Sequence, residues 1–322
     1  MEAVLKDRPG ASNTALIVVT HDGKPHSDDV LACAILKYLF NRISVTRTRR
    51  HTTGDIFIDV GGIYDGVKHF DHHQNSFDQR WSDEYAEKMA SAGLIWKTFH
   101  RDYLLKVAKD HGLEALIDCD ATVDLLANKI YNDYVYAVDA DDNGLCRYEG
   151  LPNAFVDTTT IKYRLNNLIA GPVTLDKAYM TMVDRITEEF ALYTRFIIAK
   201  WLVSLNNIRQ AILDRFSVHE SGHVIRHDSN VPLDVLYQLE RDLNAEILFI
   251  MSNSNDEWRL KTVTVEGEAF VNRKSFPEEW GGLRNEELSE IAEIPLIFCH
   301  ANVFLVVSES EESLQQVLEV VL

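Results

Sequence analysis

The sequence predicts an α/β protein of two domains: an N-terminal domain on a parallel sheet and a smaller mixed α/β C-terminal domain, linked by long helices. Three observations carry this. Residues 15–20 (ALIVVT) form a continuous apolar run of strand length, and a helix-period pattern follows, as in a strand covered on both faces. Between Gly171-Pro172 and Gly222 there is neither Gly nor Pro, and Leu, Ile, Phe and Trp recur at three- and four-residue spacing. After Arg215 the texture changes to short β-rich runs broken by turn residues.

In chain order, the first strand is followed by a helix from Asp28 to Phe40, with Val30, Leu31, Ala34, Ile35 and Tyr38 on the face that meets the sheet. Asp28 and Asp29 sit at its N-terminus, where negative charge is favoured. Strands follow at about 43–49 and 55–60, with a shorter one at 66–70, so the order strand, helix, strand, strand, strand opens an α/β domain. Ser82 to Ala140 reads as helical, punctuated by Gly93 and Gly112. One or two long helices fill 173–221; they suit either a homodimer contact or internal packing. Four β-rich runs then follow: FSVHESGHVIRHD, AEILFIMS, EWRLKTVTVE and IPLIFCHANVFLVVS. Helices near 232–242 and 310–321 pack among them. The resulting division is a flexible leader at 1–13, a first domain at 14–210 and a second at 211–322.

Composition narrows the function. No run approaches the roughly 18 apolar residues that span a bilayer, so no membrane partner is expected. The start, MEAVLKDRPGASNTA, reads as neither a secretory signal nor a transit peptide; the default compartment is the cytosol, with nucleus and mitochondrion compatible. Cys33, Cys119, Cys146 and Cys299 are far apart with no CxxC pair, which argues against a zinc knuckle and a disulfide framework. The formal charge of −18 is the wrong sign for a tight duplex binder, because such affinity rests on Lys and Arg neutralising phosphates. Bound divalent metals would reverse the field locally, and Arg42, Arg47, Arg49, Arg50 and His51 make a basic cluster. Short anionic substrates remain compatible. The HExxH helix of a metalloprotease is absent.

The chemistry is concentrated where strands end. Thr20-His21-Asp22-Gly23-Lys24-Pro25-His26-Ser27-Asp28-Asp29 follows the first strand, Asp59 precedes a double glycine, and Asp71-His72-His73 closes the short strand. In an open α/β sheet, loops at the carboxyl ends of strands converge on one crevice. A mixed His/Asp set there suits hard-to-borderline divalent metals, manganese above all. Each residue alone has an ordinary reading: His21 and His72-His73 as loop histidines, Asp28 and Asp29 as helix N-terminal acids, Asp59 as a turn-former. Their joint occurrence at the ends of successive strands favours a metal site.

Five collinear blocks from about residue 15 to the C-terminus carry a resemblance: THDGKPHSDDVLACAIL, DIFIDVGGIYDGVKHFDHHQNSF, the DADDNG segment, NRKSFPEEWGGLRNEEL and IFCHANVF. They resemble the melanocyte-proliferating-gene-1 family, a branch of the DHH phosphoesterase superfamily. The resemblance implies a DHH-type first domain holding two Mn2+ ions (or Mg2+). The implied metal ligands are His21, His26, Asp28, Asp59, His72 and Asp139, with Asp59 bridging. Which of Asp139, Asp141 and Asp142 completes the set is left open by the sequence. His73, Asp59 and Asp71 are the implied catalytic residues, His73 facing substrate. Asp22, Asp29 and Asp71 are candidates to fix the far nitrogens of the histidines. The second domain is expected to grip substrate through Arg273, Arg284 and His300, while Glu278, Glu286 and Glu287 offer the two arginines ordinary surface pairing instead. Phe276 and Trp280 suit core packing, or stacking on a base. The chain departs from the family pattern at Gly281, where Arg is common, and at Asn302, Val303 and 305–307, where glycines are common; Ser27 and Asp29 replace Cys and Glu.

The implied activity is 3′–5′ exonucleolytic hydrolysis of single-stranded RNA or short oligonucleotides. Two other readings stand beside it: a small-molecule nucleotide or pyrophosphate phosphohydrolase, and a non-catalytic metal-binding regulatory protein.

Overall fold

Leu16–Thr20 (β1) forms an inner strand because its alternate faces are both covered: Leu16, Val18, Val19 and Thr20 are all buried. It pairs in parallel with Ile43–Arg47 (β2) on one side and Ile56–Ile58 (β3) on the other, and His69–Phe70 (β4) extends the sheet beyond β3. The order is β2-β1-β3-β4, parallel throughout, so the carboxyl ends of the four strands share one edge. The computed structural model describes residues 15–145, 157–254, 257–268 and 270–322. The expected leader and Cys146 lie outside the described residues.

Helix Ser27–Phe40 (α1) makes the crossover from β1 to β2, and every residue from Ser27 to Leu36 is buried. A helix buried all round needs partners on several sides. The sheet supplies one; Ser91–Asp110 (α2) and a later long helix supply the others. After α2 come Asp120–Ile130 (α3), a π-helical turn at Tyr131–Val135 and Tyr136–Asp142 (α4). The expected helix does not begin at Ser82. Residues 82–90 are irregular, because Trp81 stacks on Tyr131 (centroids 4.5 Å apart, 11° between planes) and Tyr85 packs edge-on against Tyr131 and Tyr136. That aromatic anchoring holds the segment as a loop.

Ile161–Ile169 (α5) and Leu175–Phe196 (α6) follow, each N-capped by a threonine: Thr160 accepts from the Tyr163 amide and Thr174 from the Lys177 amide. Through a second π-helical turn at Ile197–Trp201, α6 runs without interruption into Leu202–Leu213 (α7), in keeping with the absence of Gly and Pro. The chain divides into compact units at Met1–Lys200 and Trp201–Leu322, inside this helical run.

The second unit carries a mixed sheet of Val224–Arg226 (β5), Phe249–Ser254 (β6), Glu257–Thr262 (β7), Phe298–Cys299 (β8) and Leu305–Ser308 (β9), five strands in the order β5-β6-β7-β9-β8. Only β5 and β6 pair in parallel. The helices Leu233–Leu243 and Glu311–Val321 fall where expected; Asn285–Ala292 is an eight-residue helix that the sequence did not single out. Phe276 and Trp280 are buried among Phe249, Leu260, Val306 and Leu314, so both aromatics belong to the core rather than to a base-stacking surface. No described helix is long and apolar enough to cross a membrane.

Candidate metal centre

The parallel sheet delivers three segments to one edge: the loop 21–26 after β1, Asp59 after β3, and Asp71-His72-His73 after β4. Asp59 lies at the centre. Its Oδ2 is 3.3 Å from His21 Nε2 and 3.7 Å from His26 Nδ1, and its Oδ1 is 3.6 Å from His72 Nε2 and 3.3 Å from His73 Nδ1. The backbone that places it there is left-handed (φ 51°), a conformation open to Asp and Asn but hostile to most side chains. Gly61 and Gly62 continue the turn at φ 99° and 64°.

A second group of donors surrounds His72. Its Nε2 is 3.2 Å from Asp142 Oδ2 and 3.9 Å from Asp28 Oδ2, while His26 Nδ1 is 3.9 Å from Asp142 Oδ1. Three trios each bring one donor atom per residue within 4.8 Å of the others: His21, His26 and Asp59; Asp59, His72 and His73; His26, Asp28 and Asp142. Shared membership of Asp59 and His26 makes this one continuous nest.

Buried polar atoms are normally hydrogen-bonded, so exceptions call for a cause. His21 Nε2, Asp28 Oδ1, Asp59 Oδ1 and His72 Nε2 are all buried without a hydrogen-bond partner. All four belong to this cluster. Two carboxylate oxygens and two imidazole nitrogens turned towards each other form a donor set for a divalent cation, and the residues present fit one.

The electrostatics of the cluster are strongly coupled. Burial pushes the Asp28 carboxyl well above the usual range, with the Asp59 and Asp142 carboxylates adding to it. Burial alone would lower His21 and His72. Asp29 and Asp59 outweigh it at His21, and Asp142 and Asp59 at His72, so each is raised to about 10. Burial would raise Asp59, but His21, His26 and His72 overcome it and hold the carboxyl far below its ordinary value.

Asp139, the acid the sequence put among the ligands, is elsewhere. Its Oδ1 accepts from the Gly93 amide at 2.9 Å and its Oδ2 from the Tyr131 hydroxyl at 3.0 Å, so it ties α4 to the start of α2. Gly93 is required there, since a Cβ would lie 2.0 Å from Asp139 Oδ2. Asp142, at the C-terminal end of α4, occupies the place expected of Asp139. Asp71, expected both as a catalytic residue and as an acceptor that fixes a histidine, is placed for the second: Oδ2 accepts from the Gly62 amide at 2.6 Å and Oδ1 sits 2.8 Å from His73 Nδ1, so it orients His73 from behind. Asp22 fixes His21 through its backbone rather than its carboxylate, with its carbonyl oxygen 2.7 Å from His21 Nδ1. Asp29 accepts from the His26 amide at 3.0 Å and closes a capping box on α1.

In the second unit, Arg273 is already committed. Its guanidinium forms a two-pronged pair with the buried carboxylate of Glu240 at 2.6 and 2.9 Å and donates to the Ile247 carbonyl. This fork fit leaves it a structural residue rather than the expected substrate contact. The carboxylate that pairs with it is Glu240, not any of the three glutamates considered from sequence. Arg284 is exposed and lies over the Phe298 ring at 4.4 Å. His300 is half-buried; its Nδ1 accepts from the Asn302 amide at 3.1 Å and its ring meets Phe304 at 4.3 Å.

A family model described as Uncharacterised protein family (UPF0160), with the label MYG1_exonuc, matches residues 17–322. The chain belongs to this family. Relatives in the MYG1 family include MYG1 protein YER156C of Saccharomyces cerevisiae, 32% identical over 324 residues that cover 93% of this chain and 93% of the relative. The MYG1 exonuclease of Homo sapiens is 32% identical over 310 residues, covering 89% of this chain and 80% of that protein. Among solved structures, exonuclease RecJ bound to manganese shares 13% identity over 81% of each chain, with a TM-score of 0.26.

Proposed function

We propose that this chain is a divalent-metal-dependent phosphodiesterase, and more narrowly a manganese-dependent 3′–5′ exoribonuclease on single-stranded RNA or short oligonucleotides. The observation that carries the metal-dependent reading is that the residues of three overlapping His/Asp trios, each with its donor atoms within 4.8 Å of one another, include four buried atoms without a hydrogen-bond partner: His21 Nε2, Asp28 Oδ1, Asp59 Oδ1 and His72 Nε2. The exonuclease reading draws on the family, whose mammalian members bear that name.

His21, His26, Asp28, Asp59, His72 and Asp142 would hold the cations, with Asp59 shared between them. Two divalent ions would supply a nucleophile at neutral pH and neutralise charge on the phosphoryl oxygens. The chain's own residues do the rest. Asp71 holds His73 Nδ1, which leaves His73 Nε2 to move a proton at the departing 3′-oxygen, and His73 is the most exposed of the cluster's histidines at 59%. Arg284 and His300 offer a cation and a ring for the rest of the substrate.

The test is hydrolysis of 5′-labelled single-stranded RNA by the metal-stripped protein resupplied with Mn2+. A ladder shortening one nucleotide at a time from the 3′ end, absent with Asp59→Asn, supports the proposal. Equal turnover without metal would sink it. The formal charge of −18 favours a second reading, a phosphohydrolase of small nucleotides or pyrophosphate. A substrate-length series separates the two, since an exonuclease's turnover should rise with oligomer length. Failure on every phosphoester, with Mn2+ still bound, would leave a metal-binding regulatory protein.

A further inference from the structure

We infer that Arg47 and Arg49 are positioning residues for the metal loop, holding the peptide between His21 and His26 in the shape that turns both imidazoles onto Asp59. The inference rests on the proposal that this cluster binds divalent metal. The two arginines are two positions apart at the end of β2, beside the end of β1, where Thr20 pairs with Arg47 and the Thr48 amide donates to the Thr20 carbonyl at 2.7 Å. This pairing brings them alongside the loop that leaves β1.

Each arginine takes one carbonyl of that loop. Arg47 Nη2 donates to the Gly23 carbonyl at 2.8 Å, and Arg49 Nη1 donates to the Asp22 carbonyl at 2.7 Å. Arg49 Nη1 also reaches the Asp22 carboxylate at 3.0 Å, and its Nη2 lies 3.3 Å from His21 Nδ1. Gly23, between the two clamps, is left-handed at φ 90°, a turn that glycine makes without steric cost and that presents both carbonyls to the arginines.

The environment of Arg47 separates this from an ordinary surface charge. Its side chain is only 3% exposed, a costly place for a cation unless its donors are taken. Both terminal nitrogens are: Nη1 pairs with Asp176 at 2.7 Å and Nη2 with Gly23, and the guanidinium lies over the Tyr179 ring at 4.8 Å, while Nε is buried without a hydrogen-bond partner. Tyr179 in turn donates from its hydroxyl to the Asp29 carbonyl in the first turn of α1. Helix α6, β2, the loop 21–26 and the start of α1 are therefore braced through one buried guanidinium. Arg49 is 63% exposed, and its work is local. The Asp22 carbonyl it grips faces His21 Nδ1 at 2.7 Å, so it would hold the proton on that nitrogen and leave Nε2, on Asp59's side, for a cation.

The test measures Mn2+ binding directly, by calorimetric titration of metal-stripped full-length protein, beside the melting temperature of the stripped forms. Arg49→Gln should weaken Mn2+ binding by about 10- to 100-fold, the usual effect of losing a group that orients a ligand, with the stripped melting temperature unchanged. Arg49→Lys should recover part of the loss, because an ammonium keeps the Asp22 contact without the planar fork. Arg47→Lys should lower both the Mn2+ affinity and the stripped melting temperature. Parent-like Mn2+ affinity in both Arg49 variants would overturn the inference. So would a rise in KM for an oligonucleotide at unchanged Mn2+ affinity, which would make Arg49 a phosphate contact. A parent protein that takes up no Mn2+ would sink the metal reading and this inference together.

Discussion

Asp142→Asn and Asp139→Asn, three residues apart on one short helix, should have opposite consequences. The oxygens of Asp142 share a trio with His26 and Asp28 whose donor atoms all lie within 4.8 Å of one another. A divalent ion among them would attract one carboxylate by about 8 kcal/mol at 4 Å and an effective dielectric constant of 20. Asparagine keeps a carbonyl dipole towards the ion, so about half of that attraction is lost, about 4 kcal/mol or on the order of a thousandfold in Mn2+ affinity. Asp139 should behave otherwise. Burial, offset in part by the Gly93 amide and the Tyr131 hydroxyl, pushes its carboxyl up to about 8, so at pH 7 it is mostly protonated and Asn is nearly its isostere. The Gly93 amide keeps an acceptor, the Tyr131 hydroxyl can turn to accept, and the cost to folding should stay within about 1 kcal/mol. Calorimetric Mn2+ titration with urea unfolding reads both quantities. Parent-like affinity in Asp142→Asn, or loss of Mn2+ binding in a folded Asp139→Asn, would refute the assignment.

Metal-free protein should lose stability as pH rises from about 6.5 to 10. His21 and His72 are raised in the folded state, so their contribution is complete below the unfolded value and disappears through the folded one. Mn2+ must displace those same protons, so its affinity should climb over this window; melting curves with EDTA and with Mn2+ should diverge, and parallel curves would count against the cluster. Arg273→Ala should destabilise the second unit by about 3–5 kcal/mol, because Glu240 is left buried and unpaired. Urea unfolding checks it, and an effect confined to substrate KM would restore Arg273 as a contact. Arg284→Ala should raise KM for oligonucleotides more than it lowers kcat, and a pure rate effect would remove its gripping role.

The strands of the first unit were legible because ALIVVT and DIFIDV are short apolar runs that end in chemistry, and the helix between β1 and β2 was legible from its apolar spacing, which showed one packed face but not burial on every side. His21, His26, Asp28, Asp59 and His72 share the property that they stand at strand ends or just past them, where a parallel sheet gathers its loops, so position along the chain was enough to group them. Asp142 was not separable from Asp139 by that logic. Both lie on the same helix face, and the choice between them depends on where α2 starts and on the Tyr131 hydroxyl. The pairing of Arg273 was not legible because its partner, Glu240, lies 33 positions away on a helix. The loop at 82–90 was read as helix because nothing in its own composition announces the stacking of Trp81 on Tyr131.

The π-helical turn at Tyr131–Val135 acts as an angular offset between α3 and α4. An α-helix advances about 100° per residue, so a wide turn changes the direction in which every later side chain points. Deleting one residue there would rewind the helix to regular geometry and swing the carboxyl of Asp142 roughly a quarter-turn or more from His72, with little change in the number of helical residues. The helix works as a dial whose setting is fixed by counting residues through this turn.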